Sequence, residues 1–222
     1  MILPVFEYGQ KEIEYLSGKD PLLAKAINTI GKINRPVIHD PFSALIKSIV
    51  GQQISTKAQL TIWARIKEKC SPLNSESLAK LGIEEIQSLG MSTRKASYIK
   101  GIAEAIRNGS LDLDSFASMN DEEVCKSLVK FKGIGLWTAE MLLLFSLQRP
   151  DVLSYGDLAI HRGLRMLYRH KKITTELHSK YKRRYTPYAS TASLYLWAIA
   201  GGAIPELCDP AAKAPKAGSK QA

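Results

Sequence analysis

The chain contains 222 residues and is 45% apolar, which is enough to form the core of one or two compact domains. Its longest strongly apolar run, Met141 to Phe145, is far shorter than the roughly 20 residues that a membrane-spanning helix needs. No basic and apolar segment with a cleavage pattern opens the chain, so we expect a protein that is not secreted. Three scattered cysteines (Cys70, Cys125 and Cys208) favour a reduced cytosolic protein over a disulfide framework, and their spacing matches neither a zinc site nor an iron–sulfur cluster.

The charge balance points to a polyanionic partner. The chain carries 31 basic and 21 acidic residues, for a net charge of +10. Between Arg162 and Arg184 there are nine lysines and arginines and a single acidic residue, Glu176, and such a stretch favours nucleic acid as the partner. An ordinary solvated surface would have the same composition, so charge alone leaves both interpretations open. Residues 210–222 hold three lysines and few large apolar groups, which predicts a disordered basic tail.

Helical periodicity runs along almost the whole chain. Asp20-Pro21 and Asp40-Pro41 each combine a capping aspartate with a proline in the first turn, a pattern typical of a helix start. Apolar residues follow both at the i, i+3, i+4 spacing that buries one helix face. Further helices are predicted from Ser55, over Glu76–Leu81 and Ile83–Leu89, from Ser92, after the capping box of Asn120 and Glu123, and over Asp157–Tyr168, Thr175–Tyr185 and Ser190–Ala200. No segment alternates apolar and polar residues as a strand would, so the sequence predicts an all-α protein.

Only Lys-Gly-Ile-Gly, residues 132–135, separates two of these helical segments. Glycine allows a tight turn and lets a phosphate approach backbone amides with no Cβ in the way. The second helix would direct its amide groups and positive dipole end at the anion, and Lys132 would add charge. The segment is therefore a candidate phosphate-binding hairpin, although Gly-x-Gly is also common in plain turns.

The hairpin stands within a longer pattern. "FKGIGLWTAEMLLL" resembles the helix-hairpin-helix motif of the HhH-GPD DNA glycosylase superfamily, in which an essential aspartate follows downstream; here "RPDVLSYGDLAIHRGL" supplies Asp157 at the matching place. Three further segments are similar to family segments: "DPFSALIKSIVGQQISTKAQ", "LGMSTRKASYIKGIA" and "TPYASTASLYLWAIAG". The resemblance extends over residues 20–201, with the motifs in the family's order. It is strongest for the small all-helical members of the 3-methyladenine DNA glycosylase branch.

The resemblance implies two helical lobes with the active-site cleft between them. Residues 1–38 and 150–209 would form one lobe. Residues 39–149 would form the other lobe, which contains the helix-hairpin-helix at 121–147. Asp157 would lie in the cleft, and the basic tail 210–222 would follow as a disordered extension.

The resemblance also implies an activity, the removal of a damaged base from DNA in base excision repair. The base must first leave the stack, because its reacting carbon cannot be reached inside a duplex. Asp157 would then stabilise the oxocarbenium-like sugar, or orient and deprotonate the attacking water, and the sequence leaves both roles open. Its position before an apolar helical run also fits a plain helix N-cap, which is compatible with either role.

The substrate class follows from the single carboxylate. An N3- or N7-alkylated purine already carries positive charge, so it can depart without the second carboxyl group that sugar hydrolases use. We therefore expect cationic purines such as 3-methyladenine as substrates. Bifunctional relatives, which also cut the strand, carry a lysine nucleophile two residues beyond the second hairpin glycine, and here that position is Trp137. The resemblance thus implies a monofunctional enzyme that leaves an abasic site.

The remaining site residues are implied by the same resemblance. Gln53 would be the wedge that fills the gap left by the flipped base. An electron-deficient base stacks well on an aromatic face, so the base pocket would be formed by Trp137, Trp197, Tyr155 and Phe42, each of which could equally be a core residue. The DNA backbone would be contacted by Gly133, Gly135, Thr138, Lys132, Arg94 and Lys95.

No cofactor is expected to be required. Family hairpins hold a monovalent cation on backbone carbonyls, and by register a Na⁺ or K⁺ ion would be bound here by Val129, Phe131 and Ile134. The histidine spacing indicates no metal site, and His161, one helical turn after Asp157, is expected to be structural.

The expected partner is damaged double-stranded DNA, contacted by a monomer in the cytoplasm of a prokaryote or the nucleus of a eukaryote. Two alternatives stay open. The chain could be a glycosylase for oxidised or deaminated bases, or a non-catalytic DNA-binding module that uses the hairpin alone.

Overall fold

The structure, a computed structural model, describes residues 4–212. Twelve α-helices and one short 3-10 helix account for the regular structure of these residues. In chain order they are α1 (Gln10–Lys19), α2 (Pro21–Ile30), α3 (Pro41–Gly51), α4 (Thr56–Lys69), α5 (Ser75–Ala79), α6 (Ile83–Ser88), α7 (Thr93–Arg107), the 3-10 helix (Asp114–Ala117), α8 (Asp121–Leu128), α9 (Leu136–Phe145), α10 (Leu158–Tyr168), α11 (Thr175–Tyr185) and α12 (Ala189–Ala200).

The predicted all-α class is confirmed. No β-strand forms among residues 4–212, where the one β-type pairing is an isolated bridge between Val5 and Pro36. None of the helices in this part of the chain is long and apolar enough to cross a membrane. Most of the predicted disordered tail, residues 213–222, lies outside the described residues.

The predicted helix starts are present because polar side chains satisfy the first amide groups of each helix. Asp20 Oδ1 accepts from the amides of Leu22 and Leu23 at 3.1 and 3.0 Å. Asn120 and Glu123 form the predicted reciprocal capping box, and the other predicted caps that accept a first-turn amide are Asp40, Ser55 and Ser92. Helix α1 was not predicted, and it buries only one residue, Leu16.

The described chain divides into two compact units. The central unit contains residues 4–6 and Pro36–Arg149, and the terminal unit contains Glu7–Arg35 together with the chain from Pro150 onward. The predicted terminal lobe includes residues 1–38, whereas the described residues 4–6 and 36–38 belong to the central unit. Backbone pairing explains the difference.

One backbone hydrogen bond joins segments 4–6 and 36–38 to each other, and a second attaches them to the rest of the central unit. The amide of Val37 donates to the carbonyl of Pro4 at 2.9 Å. The next amide, of Ile38, donates to the carbonyl of Phe145 at the end of α9, at 3.0 Å. The segments around Pro4 and Val37 are therefore paired with each other, and the second is bonded to the end of α9, the last helix of the central unit.

In the central unit, α3 packs against α4, α7 and α9. One face of α3 is fully buried, as the spacing of its apolar residues predicts: Leu45, Ile46, Ile49 and Val50. Helices α5 and α6 pack on α7, and α8 packs on α9 to form the hairpin.

In the terminal unit, α10 packs closely on α12. Gly163 of α10 permits this contact, since a Cβ at position 163 would lie 2.3 Å from the carbonyl oxygen of Leu196. The buried carboxylate of Asp20 links three helices, because its Oδ2 accepts from the Tyr168 hydroxyl at 2.7 Å and from Arg184 Nη1 at 2.5 Å.

Candidate active site and nucleic-acid interface

The hairpin turn of the central unit depends on Gly133. The amide of Ile134 donates to the carbonyl of Phe131 at 3.1 Å, which tightens the turn between α8 and α9. Gly133 has a φ of +90°, and a Cβ there would lie 2.2 Å from the ring of Tyr98. Both the backbone conformation and the neighbouring ring therefore require glycine at this position.

Gly135 has a different environment. It is the N-cap residue of α9 in an extended conformation, a Cβ added there would meet no heavy atom within 4 Å, and no side chain caps α9. The first amide groups of α9 therefore have no side-chain cap, and they lie at the positive end of the helix dipole, where an anion is favoured. Lys132 is exposed beside this turn, as the phosphate-binding prediction requires.

Thr138 differs from its predicted role. Its side chain is only 4% exposed, and its hydroxyl lies 3.5 Å from Gln52 Nε2. The same Nε2 donates to the carbonyl of Gly133 at 2.9 Å. The Thr138 hydroxyl is therefore largely buried beside Gln52.

The predicted wedge lies on a short segment after α3, residues 52–55, which we call the wedge loop. Gln53 is exposed and has a φ of +56°, an uncommon conformation for a residue with a side chain. Ile54 beside it is 37% exposed. The wedge loop therefore presents Gln53 and Ile54 to the surface of the central unit.

Lys95 also differs from its predicted role on the DNA backbone. Its ammonium donates to the carbonyls of Val50 and Gln52, at 2.9 and 2.5 Å. Burial, with a smaller contribution from neighbouring Arg94, lowers the pKa of Lys95. The ammonium is thus bound within the central unit, whereas Arg94 is exposed at the start of α7.

A recess of about 480 Å³ opens between the wedge loop and α9 in the central unit. Trp137 lines it and is 41% exposed, which makes this ring available for stacking. The other lining residues are Ser48, Gly51, Gln52, Gln53, Gln59 and Thr138. Phe42 is only 6% exposed and lines a separate recess beside Leu111 and Asp112, so it does not join Trp137.

Asp157 is the N-cap residue of α10 in the terminal unit. Its side chain is 7% exposed, and its Oδ1 accepts from the amides of Ala159 and Ile160 at 2.8 and 3.0 Å. Asp157 is therefore a true N-cap, as its position before the apolar run predicts, and a helix N-terminus is a favourable place for an anion.

Two histidines contact the segment that leads to Asp157. The ring of Tyr155 contacts the rings of His161 and His178, with centroids 4.9 and 5.2 Å apart. Burial lowers the pKa of His161 and lowers that of His178 to about 4. Burial thus favours the neutral form of both imidazoles, and their Nε2 atoms are buried without a hydrogen-bond partner among the described residues. His161 thus packs as a structural ring, as expected.

The aromatic residues assigned to the base pocket are distributed over both units. Tyr155 is 43% exposed, two residues before Asp157. Trp197 is half-buried and packs on the core of the terminal unit. Leu158, which sequence reasoning did not single out, is 81% exposed directly after Asp157.

Part of the basic stretch is neutralised within the terminal unit. Arg165 forms a bidentate pair with Asp209, Lys182 pairs with Asp151, and Arg184 pairs with Asp20. Arg162 lies 3.8 Å from Asp209. The exposed cations of the stretch are Arg162, Arg169, Lys171, Lys172, Lys180 and Arg183.

Side chains in the described part of the chain form no cluster of three or more His, Cys, Asp or Glu that could hold a metal ion. The hairpin carbonyls are a different kind of donor. Within residues 4–212, the carbonyls of Val129 and Ile134 accept no hydrogen bond, and that of Phe131 accepts only the amide of Ile134. These three oxygens therefore keep lone pairs available for a cation.

Sequence reasoning missed two residues that join the candidate site together, Gln52 and Tyr98. Gln52 stands next to a second glutamine, and nothing in the sequence indicates which of the pair turns inward. Tyr98 is one of several apolar residues on α7, and its position under Gly133 depends on the packing of two separate helices.

Similarity to known proteins shows the family of this chain. Residues 46–187 match the family model described as "HhH-GPD superfamily base excision DNA repair protein". The match covers the wedge loop, the hairpin and Asp157. The chain therefore belongs to the HhH-GPD superfamily of base excision DNA repair proteins.

Individual relatives are DNA-3-methyladenine glycosylases. The chain is 34% identical over 191 residues to DNA-3-methyladenine glycosylase 1 of Schizosaccharomyces pombe. The aligned region covers 82% of this chain and 84% of that protein. A crystal structure of DNA-3-methyladenine glycosidase from Bacillus halodurans is similar with a TM-score of 0.79 and 33% identity, over 93% of this chain and 96% of that one. A structure of the S. pombe 3-methyladenine DNA glycosylase in complex with abasic DNA is similar with a TM-score of 0.77 and 32% identity, over 86% and 97% of the two chains.

Proposed function

We propose that the protein is a monofunctional DNA glycosylase that hydrolyses the N-glycosidic bond of alkylated, cationic purines such as 3-methyladenine and leaves an abasic site. The observation that carries this proposal is the buried Asp157 carboxylate, which two backbone amides hold at the start of α10. The names of the relatives support the same substrate class.

The carboxylate would act on the sugar. Departure of the base leaves positive charge on the deoxyribose ring, and a fixed anion lowers the energy of that state. Two backbone amides hold Oδ1 of Asp157, so the group would need little reorganisation during the reaction. Asp157 would either stabilise the cation directly or orient and deprotonate the attacking water.

The neutral histidines favour a substrate that needs no acid. A neutral leaving base generally requires protonation as it departs. Burial lowers the pKa of both His161 and His178, which disfavours the protonated imidazolium that could serve as the acid. A purine that is already cationic departs without this help, which favours alkylated bases over oxidised or deaminated ones.

The position of Trp137 favours a monofunctional reaction. In bifunctional relatives the equivalent residue is a lysine that attacks the sugar and forms a Schiff base. An indole ring cannot do this. Instead, the half-exposed Trp137 ring on its recess would stack on the electron-deficient base by cation–π attraction, worth about 0.5–2 kcal/mol.

The central unit would grip the DNA. The uncapped amides at the start of α9, together with Gly135 and Lys132, would bind a phosphate. Arg94 would add positive charge. Gln53 would enter the gap left by the flipped base. A Na⁺ or K⁺ ion would be held by the backbone carbonyls of Val129, Phe131 and Ile134 and would add positive charge at the phosphate site.

The test is base release from DNA treated with a methylating agent, with the wild type beside Asp157→Asn. Asparagine keeps the cap and removes the charge, so DNA affinity should stay within a few-fold while release falls about 100-fold or more. Asp40→Asn is the matched control, because Asp40 also caps a helix through its carboxylate, and its release should be unchanged. Intact strands on a gel without alkali would establish the monofunctional outcome.

Other outcomes discriminate between the alternatives. Near-normal release by Asp157→Asn would refute the catalytic assignment. No release by the wild type would redirect the search to oxidised and deaminated substrates, and failure on those would leave a DNA-binding module.

A further inference from the structure

The wedge loop is held in place by a lysine from another helix. Lys95 of α7 donates to the carbonyl of Val50, in the last turn of α3, and to the carbonyl of Gln52. The Gln52 carbonyl belongs to the peptide bond that precedes Gln53. The lysine therefore fixes the peptide group that sets the direction of the wedge residue.

The side chain of Gln52 attaches the same loop to the hairpin. Its Nε2 donates to the carbonyl of Gly133 at 2.9 Å and lies 3.5 Å from the Thr138 hydroxyl. Gly133 forms the hairpin turn, and Thr138 belongs to the first turn of α9. Gln52 is thus bonded to α7 through its backbone and to the hairpin through its side chain.

Helix α7 supports both the wedge loop and the hairpin. Lys95 and Tyr98 are three residues apart and so lie on one side of the helix. Lys95 holds the wedge loop, and Tyr98 packs against the backbone of Gly133. Between these supports, Gln53 is exposed with a φ of +56°, a conformation that persists only where surrounding contacts determine it.

We propose that Lys95 and Gln52 are positioning residues that fix Gln53 at a set distance from the hairpin, so that binding of the DNA backbone carries the wedge into the base stack. This inference rests on the proposed glycosylase function. Lys95 would thus position Gln53, the side chain that enters DNA, and would not contact DNA itself.

The experiment compares base release from two duplexes in single turnover. In one, 7-methylguanine is paired with cytosine; in the other, it stands opposite a tetrahydrofuran abasic analogue, which leaves the lesion without a partner. The wedge matters only for the first duplex, where a pair must be opened and an orphaned base held. Lys95→Met should lower release from the paired lesion about 10-fold, as expected for a misplaced group, and leave the unpaired lesion almost unaffected.

Conservative and matched variants separate positioning from folding. Lys95→Arg should restore most of the rate, because a guanidinium can also donate to two carbonyls. Gln52→Met, which keeps the length of the side chain and loses the donor to Gly133, should show the same selective loss as Lys95→Met. Lys100→Met should change neither rate, although Lys100 holds the carbonyls of Ala79 and Leu81 from the same helix.

The outcomes are distinct. If Lys95→Met and Gln52→Met slow both duplexes equally, or neither, the inference is overturned while the glycosylase function stands. Should Lys95→Met fail to fold, the ratio measured with Gln52→Met decides. No release by the wild type from either duplex would overturn the proposed function and this inference together.

Discussion

Gly133 and Gly135 are two residues apart in the hairpin, but the fold requires glycine at only one of them. Gly133 combines a φ of +90° with the ring of Tyr98 where a Cβ would lie. Gly135 has a φ of −89°, and its Cβ would meet nothing within 4 Å. A side chain would fit at Gly135, so a ligand that approaches the backbone explains the glycine better than folding does.

Substitutions should therefore separate stability from DNA binding. Gly133→Ala is expected to lower the free energy of unfolding by about 1–3 kcal/mol, because of backbone strain and the clash with Tyr98. Gly135→Val should cost only the N-cap preference, about 0.5–1 kcal/mol. Its methyl groups would occupy the phosphate position, so the Kd for undamaged duplex should rise about 10-fold whatever the sequence. Urea unfolding measures the first effect and fluorescence anisotropy the second.

An unchanged Kd for Gly135→Val would mean that no phosphate approaches the backbone at this position. A stable Gly133→Ala protein would mean that the turn relaxes away from Tyr98.

At the level of single residues, the sequence predicts the position of a residue in its helix but not always the direction of its side chain. Asp157 caps α10 as predicted, because capping depends on local sequence. Lys95 and Thr138 were expected on the DNA-facing surface, yet both bond inside the central unit. Both contact Gln52 at the end of α3, and no local signal in the sequence indicates these contacts.

Helices were predicted best where a cap and an apolar stripe coincide. Helices α2, α3 and α4 begin where Asp20, Asp40 and Ser55 predict, because each side chain bonds an amide that would otherwise be unpaired. Helix α1 lacks both signals, since its cap residue is Gly9 and it buries only Leu16. The amide of Gly9 donates instead to Glu12 Oε2 at 2.8 Å.

Close packing between helices makes a sharp prediction for α10 and α12. Gly163→Ala should lower the free energy of unfolding by about 1–3 kcal/mol, because a Cβ 2.3 Å from the Leu196 carbonyl must push two helices apart. Gly101→Ala is the matched control. It lies in α7 with nothing within 4 Å of its Cβ, so the better helix propensity of alanine should stabilise the protein by about 0.5–1 kcal/mol.

Thermal and urea unfolding of the two variants measure this difference. Equal stability of Gly163→Ala and the wild type would contradict the close contact of α10 with α12.

For the molecule as a whole, the net charge of +10 overstates the number of cations that are available to bind a polyanion. The sequence has nine basic residues between Arg162 and Arg184, a stretch that favours a polyanionic partner. Asp20, Asp151 and Asp209 all lie outside that stretch of the chain, and they pair with several of its cations. Periodicity cannot reveal such distant pairs, because they depend on how the helices of the terminal unit pack.

Salt dependence tests which cations contact DNA. Lys171 and Lys172 are exposed between α10 and α11, and each phosphate contact contributes about 0.9 to the slope of log K against log salt. Replacing both lysines with glutamine should lower that slope by about 2 and weaken binding to all sequences alike, as expected for loss of phosphate contacts. The double variant Lys11→Gln/Lys19→Gln removes the same charge from α1 and should change the slope less. Equal changes in the two double variants would mean that DNA senses the net charge of the protein and not a particular surface.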